Sequence, residues 1–386
     1  MRTALIGGVL LLVGAVAVAL GILPLADLAT LFDRVWPILL FVVGITITTE
    51  LVAEAGVFQF IGQRLAGWGR GRAVLLWLMV VAFAAVSTIF LSLDTTAVLL
   101  TPIVVVLARS AGLNPIPFAL TTVWLANTAS LLLPVSNLTN LLAEHELGGI
   151  GTLGFVALTW APAVVAIVVP VVVIAVVYRA ALTRTYTVDE SEPVADRALF
   201  AWSAIVLGLL VPALVSPLPV WVPACAAALV LGFVFAVRRR TVLEFSMVPW
   251  QLVLFASGLF VVIEAAHSLG LTAALAVLAG HGDSTASLLQ LGGVGLASAN
   301  AVNNLPAYLA LEPLADSPAR LVALLIGVNA GPLITPWASL ATLLWHQRLT
   351  KLGLEISWAR YAALGLVVAP LTVAASVVTL SIVTSR

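Results

Sequence analysis

Charge is scarce in this sequence. Asp, Glu, Lys and Arg make up 9% of its 386 residues, against about 25% in a soluble domain. With 62% hydrophobic residues and a mean hydropathy of +1.19, this excludes a water-soluble globular protein and requires a membrane one. A single cysteine, Cys225, excludes an internal disulfide framework and any multi-thiolate metal site. The 17 basic and 17 acidic residues cancel, so nothing suggests a nucleic-acid partner. No P-loop is present, so a nucleotide cannot drive transport through this chain alone, and neither G-x-S-x-G nor H-E-x-x-H occurs. No Ser/His or paired-Asp arrangement of an intramembrane protease stands out, and no cofactor is implied. The alternating ten-residue segments of a β-barrel are also missing.

Long apolar runs are what remain. A spanning helix needs roughly 20 such residues. Candidates cover 4–22, 36–55, 73–92, 94–110, 116–145, 153–179, 198–215, 219–237, 250–270, 284–300, 302–315, 319–346 and 357–383. The first reads as a retained helix rather than a cleaved signal. Segments 116–145 and 319–346 are too long for one straight span, and each has a proline-centred polar break. Segments 94–110 and 302–315 follow short polar clusters and suit the arms of re-entrant hairpins. The short runs 57–67 and 271–280 suit the interface.

The chain repeats itself. Residues 36–56 match 250–270 without a gap, pairing Trp36 with Trp250, Gly44 with Gly258, Glu50 with Glu264 and Gly56 with Gly270. Residues 126–142 match 328–344, pairing Asn127 with Asn329, Pro134 with Pro336, Asn137 with Ser339 and Asn140 with Thr342. Basic residues cluster at Arg64, Arg70 and Arg72, at Arg179, Arg184 and Arg197, at Arg238, Arg239 and Arg240, and at Arg348, Lys351 and Arg360. Placing them in the cytoplasm makes the matching helices run oppositely, with the N-terminus cytoplasmic and the C-terminus external. Arg320 is the one misfit. The fold class expected is an all-α polytopic membrane protein of two inverted repeats with re-entrant hairpins and broken helices. Residues 1–35 form a first helix and outer loop, 36–179 repeat one, 180–249 a cytoplasmic loop and two linking helices, and 250–386 repeat two.

Polar residues inside such runs are costly and point to function. Asp94 lies deep in LSLDTTAVLLTP, where a carboxylate must be protonated, paired or hydrated, which suits proton coupling. An N-cap to the following helix is the structural alternative. Thr95 and Thr96 adjoin it, and Asn303 and Asn304, with Ser298 and Asn300, hold the corresponding place in repeat two. The broken helices supply Asn127, Ser130, Ser136 and Asn137 in one half and Asn329, Thr335 and Ser339 in the other. Breaking a helix frees backbone donors and acceptors, and a duplicated break marks a transporter binding site. Glu50 and Glu264 suit interfacial anchoring and proton relay equally. Trp68, Trp160, Trp221, Trp345 and Trp358 read as interfacial belt residues.

LDTTAVLLTPIVVVLA, NTASLLLPVSNLTNLL, VNNLPAYL and GPLITPWASLATLLW resemble the arsenite permease (arsenical pump membrane protein) family of the ion transporter superfamily. The resemblance implies a scaffold and a transport domain that moves like an elevator. It also implies efflux of arsenite and antimonite, as As(OH)₃ and Sb(OH)₃, in exchange for protons across the cell membrane, in some members with a soluble ATPase partner. Besides solute and protons, membrane lipid is the expected partner. A sodium-coupled carboxylate symporter or a sodium/proton antiporter on the same scaffold stays open, as does a non-transporting receptor.

Overall fold

A computed structural model describes residues 2–187 and 196–385; residues 188–195, in the loop expected before the linking helices, lie outside it. Among the described residues, eight helices are long and apolar enough to cross a membrane.

Helix α1 (Arg2–Ala19) lies along α11 (Trp250–Ser268). Gly7 makes that crossing possible, because a Cβ there would sit 2.6 Å from the Phe255 backbone nitrogen. Helix α2 runs Leu25–Glu54 with Pro37 inside it. It begins eleven residues before the start expected at 36, so 25–35 is helix and not outer loop. Leu31, Val35, Ile38 and Ile45 recur at helical spacing and are buried, which carries the helix through Asp33 and Arg34. After left-handed Gly56 comes α3 (Val57–Trp68), and after left-handed Gly270 comes α12 (Leu271–Ala279).

Two hairpins follow in matching places. In the first, α4 (Ala73–Leu91) reverses at Ser92 into α5 (Leu93–Ser110), which has a π-turn over Thr96–Leu100. In the second, α13 (Thr285–Val302) reverses at Asn303 into α14 (Asn304–Leu311). Then come the broken helices. Helix α6 (Pro115–Thr128) resumes after the break as α7 (Leu138–Glu146), and α15 (Pro318–Ala330) resumes as α16 (Leu340–Lys351). A short 3₁₀ turn, Pro134–Ser136 or Pro336–Ala338, sits in each break. Each half closes with a 27-residue helix, α8 (Gly151–Val177) or α17 (Trp358–Thr384), and these two pack together. Helices α9 (Arg197–Val215) and α10 (Trp221–Arg238) link the halves.

Two expectations are corrected by packing. Trp345 is fully buried and donates to the Ala119 carbonyl at 2.8 Å, so it is a core residue and not a belt residue. Arg320 is also buried; its guanidinium donates to the carbonyls of Ala279, Gly280, Gly282 and Leu314. It clamps the start of α15 to the end of α12, and does not behave as a loop charge.

Candidate functional site

The hairpin tips carry the strained backbone. Ser92 has φ +115° and Asn303 φ +126°, a region that side chains avoid at a cost of about 1–3 kcal/mol each. This strain sets the register between repeats: Ser92 corresponds to Asn303, so Asp94 corresponds to Leu305. Only one tip holds a carboxylate. Ser92, not Asp94, is the N-cap of α5 and accepts from the Thr95 N–H at 3.4 Å, so capping does not explain Asp94. Its Oδ1 is buried with no hydrogen-bond partner.

Asp94 lines a cavity of about 320 Å³ with Asn137, Asn303, Asn304, Ser339 and Thr46. No Lys or Arg lines it. Thr95 and Thr96, expected there, are buried in the hairpin instead. Thr96 Oγ1 donates to Ser87 Oγ at 3.0 Å and accepts from Thr88 Oγ1 at 2.8 Å. Thr95 Oγ1 donates to the Leu91 carbonyl at 3.2 Å. Both hydroxyls stitch the hairpin.

The two breaks are held differently. In break one, Asn140 Nδ2 donates to the Ser130 and Leu133 carbonyls at 2.6 and 2.9 Å, and Ser136 Oγ ties the break to Ile89 of hairpin one at 2.7 Å. Ser130 Oγ donates back to the Asn127 carbonyl. In break two the work falls to Asn300, on hairpin two. It donates to the Gly331 carbonyl at 2.9 Å, accepts from the N–H groups of Ile334 and Thr335, and its own carbonyl accepts from Thr335 Oγ1 and Trp337 Nε1. Gly365 of α17 lies against the same break; a Cβ there would sit 2.0 Å from the Leu333 carbonyl oxygen.

The repeats meet at Asn329. Its Oδ1 accepts from Asn137 Nδ2 at 2.9 Å and Thr139 Oγ1 at 2.8 Å, and its Nδ2 donates to Asn140 Oδ1 at 2.7 Å. All four side chains are buried. The breaks expected to face one another therefore do touch, through amides. Of the expected residues, Asp94, Asn137, Asn303, Asn304 and Ser339 border the cavity. Asn127, Ser130, Ser136, Asn329 and Thr335 lie behind it in the bonded breaks.

Two further cavities adjoin α2. One of about 460 Å³ is bordered by Asp33, Arg34 and Ile38, and one of about 520 Å³ by Glu50, Glu54 and Arg348. With the central cavity beside Phe41, Ile45 and Thr46, three cavities follow one another along this helix. Between the first of them and hairpin two, Arg34 donates to buried Glu312, which also accepts from Tyr308 at 2.6 Å. That cluster was missed by sequence reasoning, and Asn300, expected beside Asn303 and Asn304 as a site amide, holds the second break instead. The Glu144, His145 and Glu146 cluster is a helix end: Glu144 accepts from the Gly151 N–H at 2.9 Å. Among the described residues no group of His, Cys, Asp or Glu could hold a metal ion.

The model of a family described as citrate transporter (CitMHS) matches residues 2–342. The arsenical pump membrane protein of Escherichia coli strain K12 is 30% identical over 384 residues, covering 92% of this chain and 88% of its own. The chain belongs to the arsenical pump membrane protein family. The same-named protein of Yersinia enterocolitica is 28% identical over 92% of this chain and 88% of its own. The crystal structure of the Alcanivorax borkumensis YdaH transporter shares the fold, at a TM-score of 0.57 and 16% identity, over 100% of this chain and 98% of that one. Membership of this family makes the chain a multi-pass membrane transporter.

Proposed function

We propose that this transporter exports arsenite and antimonite, as neutral trihydroxides, in exchange for protons carried by Asp94. The observation behind this reading is the lining of the central cavity. It offers one unpaired carboxylate, amides and hydroxyls, and no cationic side chain. Trivalent arsenic near neutral pH is mostly As(OH)₃, an uncharged solute with three O–H donors and six lone pairs. An ionised Asp94 accepts strongly from such hydroxyls at both oxygens; protonation turns one oxygen into a donor and leaves the other a weaker acceptor. Solute and proton therefore compete for one carboxylate, the condition for exchange. Each proton moving inward gains roughly 2.3 kcal/mol per 100 mV, so the cycle needs no nucleotide.

In this reading residues 36–179 and 250–386 are the inverted repeats, preceded by 1–35 and joined by 180–249. The scaffold is α1, α2 and α9 to α11, and the hairpins, broken helices, α8 and α17 move together. The protein sits in the cell membrane with its N-terminus cytoplasmic and its C-terminus external. Carboxylate transport is the competing reading, because the matching family model is described as citrate transporter. A cavity without Lys or Arg counts against it, since bidentate cations are the usual carboxylate partners. Everted vesicles loaded by an acid-inside gradient decide between the two. Arsenite uptake that ignores sodium and collapses with a protonophore supports the proposal, and sodium-dependent citrate uptake without arsenite uptake overturns it.

A further inference from the structure

The two hairpins meet the long helices beside them in different ways. At hairpin two the contact is closed. Arg34 of α2 donates to Glu312, in the turn after α14, and Tyr308 of α14 donates to the same carboxylate at 2.6 Å. Arg34 also lies 3.9 Å from Glu146, at the end of α7. His267 of α11 donates from Nε2 to the Leu309 carbonyl at 3.0 Å. Helix α11 packs on α14, and α2 on α7.

The matching place in repeat one is open. Gly56 pairs with Gly270 and Ser92 with Asn303, so Ala53 stands for His267 and Val98 for Leu309. Both line the cavity of about 520 Å³ beside α2 and α5. Ala53 has no side-chain donor to bridge it. Thr101, the mate of Glu312, is bonded to Thr122 of α6 at 2.8 Å. Nearer its tip, hairpin one reaches α2 only by a long hydrogen bond, from Thr95 Oγ1 to Thr49 Oγ1 at 3.5 Å.

The chemistry of the closed contact suits a joint that opens. Glu312 is 7% exposed and Arg34 20%. A buried ion pair adds little net stability, because the hydration regained on separation offsets the attraction lost. The joined and parted arrangements therefore stay close in free energy, as a switch requires. An apolar contact would instead expose hydrocarbon to water on opening. The cavity of about 460 Å³ bordered by Arg34 gives water room at the joint.

We infer that Arg34 and Glu312, supported by Tyr308 and His267, form a latch on the outer side of the transporter that is closed in this structure and parts in every transport cycle. This rests on the proposed orientation and on the proposed division into a fixed scaffold and moving hairpins. Arg34 and His267 stand on the scaffold. Glu312, Tyr308, Leu309 and Glu146 stand on the part that moves. With the latch closed, solute enters from the cytoplasm through the gap between α2 and hairpin one. Parting it frees hairpin two to leave α2 and α11 and opens the outer route.

Two measurements test the latch, both in a Cys225→Ser background. In the first, Arg34→Cys and Glu312→Cys are joined by a short bifunctional methanethiosulfonate, and arsenite uptake into everted vesicles is followed. Cross-linking should cut uptake at least about tenfold, and reduction should restore it. Uptake unchanged by cross-linking overturns the latch. The second uses Val302→Cys, at the central cavity, as a reporter labelled by a membrane-impermeant maleimide from outside right-side-out vesicles. Glu312→Gln keeps the shape but removes the charge. It should speed labelling about tenfold, within the usual range for one switchable contact. A lower melting temperature with unchanged labelling marks a static ion pair and overturns the latch. Labelling needs no arsenite, so a wild type that transports none overturns the export reading while the labelling rates still decide the latch.

Discussion

Replacing Asn329 by alanine removes the partner of three buried groups at once. Asn137 Nδ2, Thr139 Oγ1 and Asn140 Oδ1 each lose a hydrogen bond of 2.7–2.9 Å. All three side chains are at most 5% exposed, so bulk water does not replace what is lost. An unpaired buried group costs about 1–3 kcal/mol in water-soluble proteins. Interhelical hydrogen bonds in membranes average nearer 0.6 kcal/mol, with a maximum near 1.7, because the unfolded reference state also finds partners. Three such losses place Asn329→Ala about 2–5 kcal/mol below the wild type. The symmetry mate gives the internal control. Asn127 makes one side-chain hydrogen bond, to the Val123 carbonyl of its own helix, and its Oδ1 is unpaired. Asn127→Ala should therefore cost less than about 1 kcal/mol. Thermal unfolding of the two purified variants in detergent measures the difference. Equal destabilisation, or a larger loss in Asn127→Ala, refutes the asymmetry.

Three other outcomes follow from the geometry. Gly365→Leu places a side chain where a Cβ already falls 2.0 Å from the Leu333 carbonyl oxygen; the backbone cannot yield cheaply, so this variant should be recovered at a small fraction of wild-type yield in membrane preparations. Ser92→Gly relaxes a φ of +115° at the loss of two long hydrogen bonds, from the Thr95 N–H at 3.4 Å and with Thr95 Oγ1 at 3.2 Å, and should stabilise by about 1 kcal/mol, whereas Ser92→Val should lower the melting temperature. Arg34→Met leaves Glu312 buried beside Tyr308 without its cation and should cost about 3 kcal/mol, and adding Glu312→Leu should return part of it.

The repeat was readable because prolines and polar residues mark it. Pro134 and Pro336 begin the 3₁₀ turns, and Asn137 and Ser339 precede the resumed helices, with the one spacing found in the sequence. The hairpin register was less readable. Ser92 and Asn303 share a backbone conformation but no chemistry that an alignment detects, so Asp94 was set against the amides when its mate is Leu305. The start of α2 was hidden by Asp33 and Arg34, which resemble loop residues until Arg34 meets Glu312, 278 positions away. Trp345 stands beside His346 and Arg348 and reads as interfacial, but packing against Tyr361 and Ala119 buries it. That the inter-repeat hydrogen bonds gather on Asn329 and not on its mate Asn127 was not readable at all. It depends on the size of Ser339, Ala341 and Thr342 measured against partners on the other repeat.

The central claim is that Asp94 exchanges solute for protons. Its most direct test is arsenite accumulation in everted vesicles as the imposed pH gradient is varied, with wild type and Asp94→Asn compared at equal membrane content. Wild-type accumulation should rise with the acid-inside gradient. Asp94→Asn cannot lose or gain a proton at that position and should show only downhill arsenite exchange, with no response to the gradient. Gradient-driven accumulation that persists in Asp94→Asn contradicts the account.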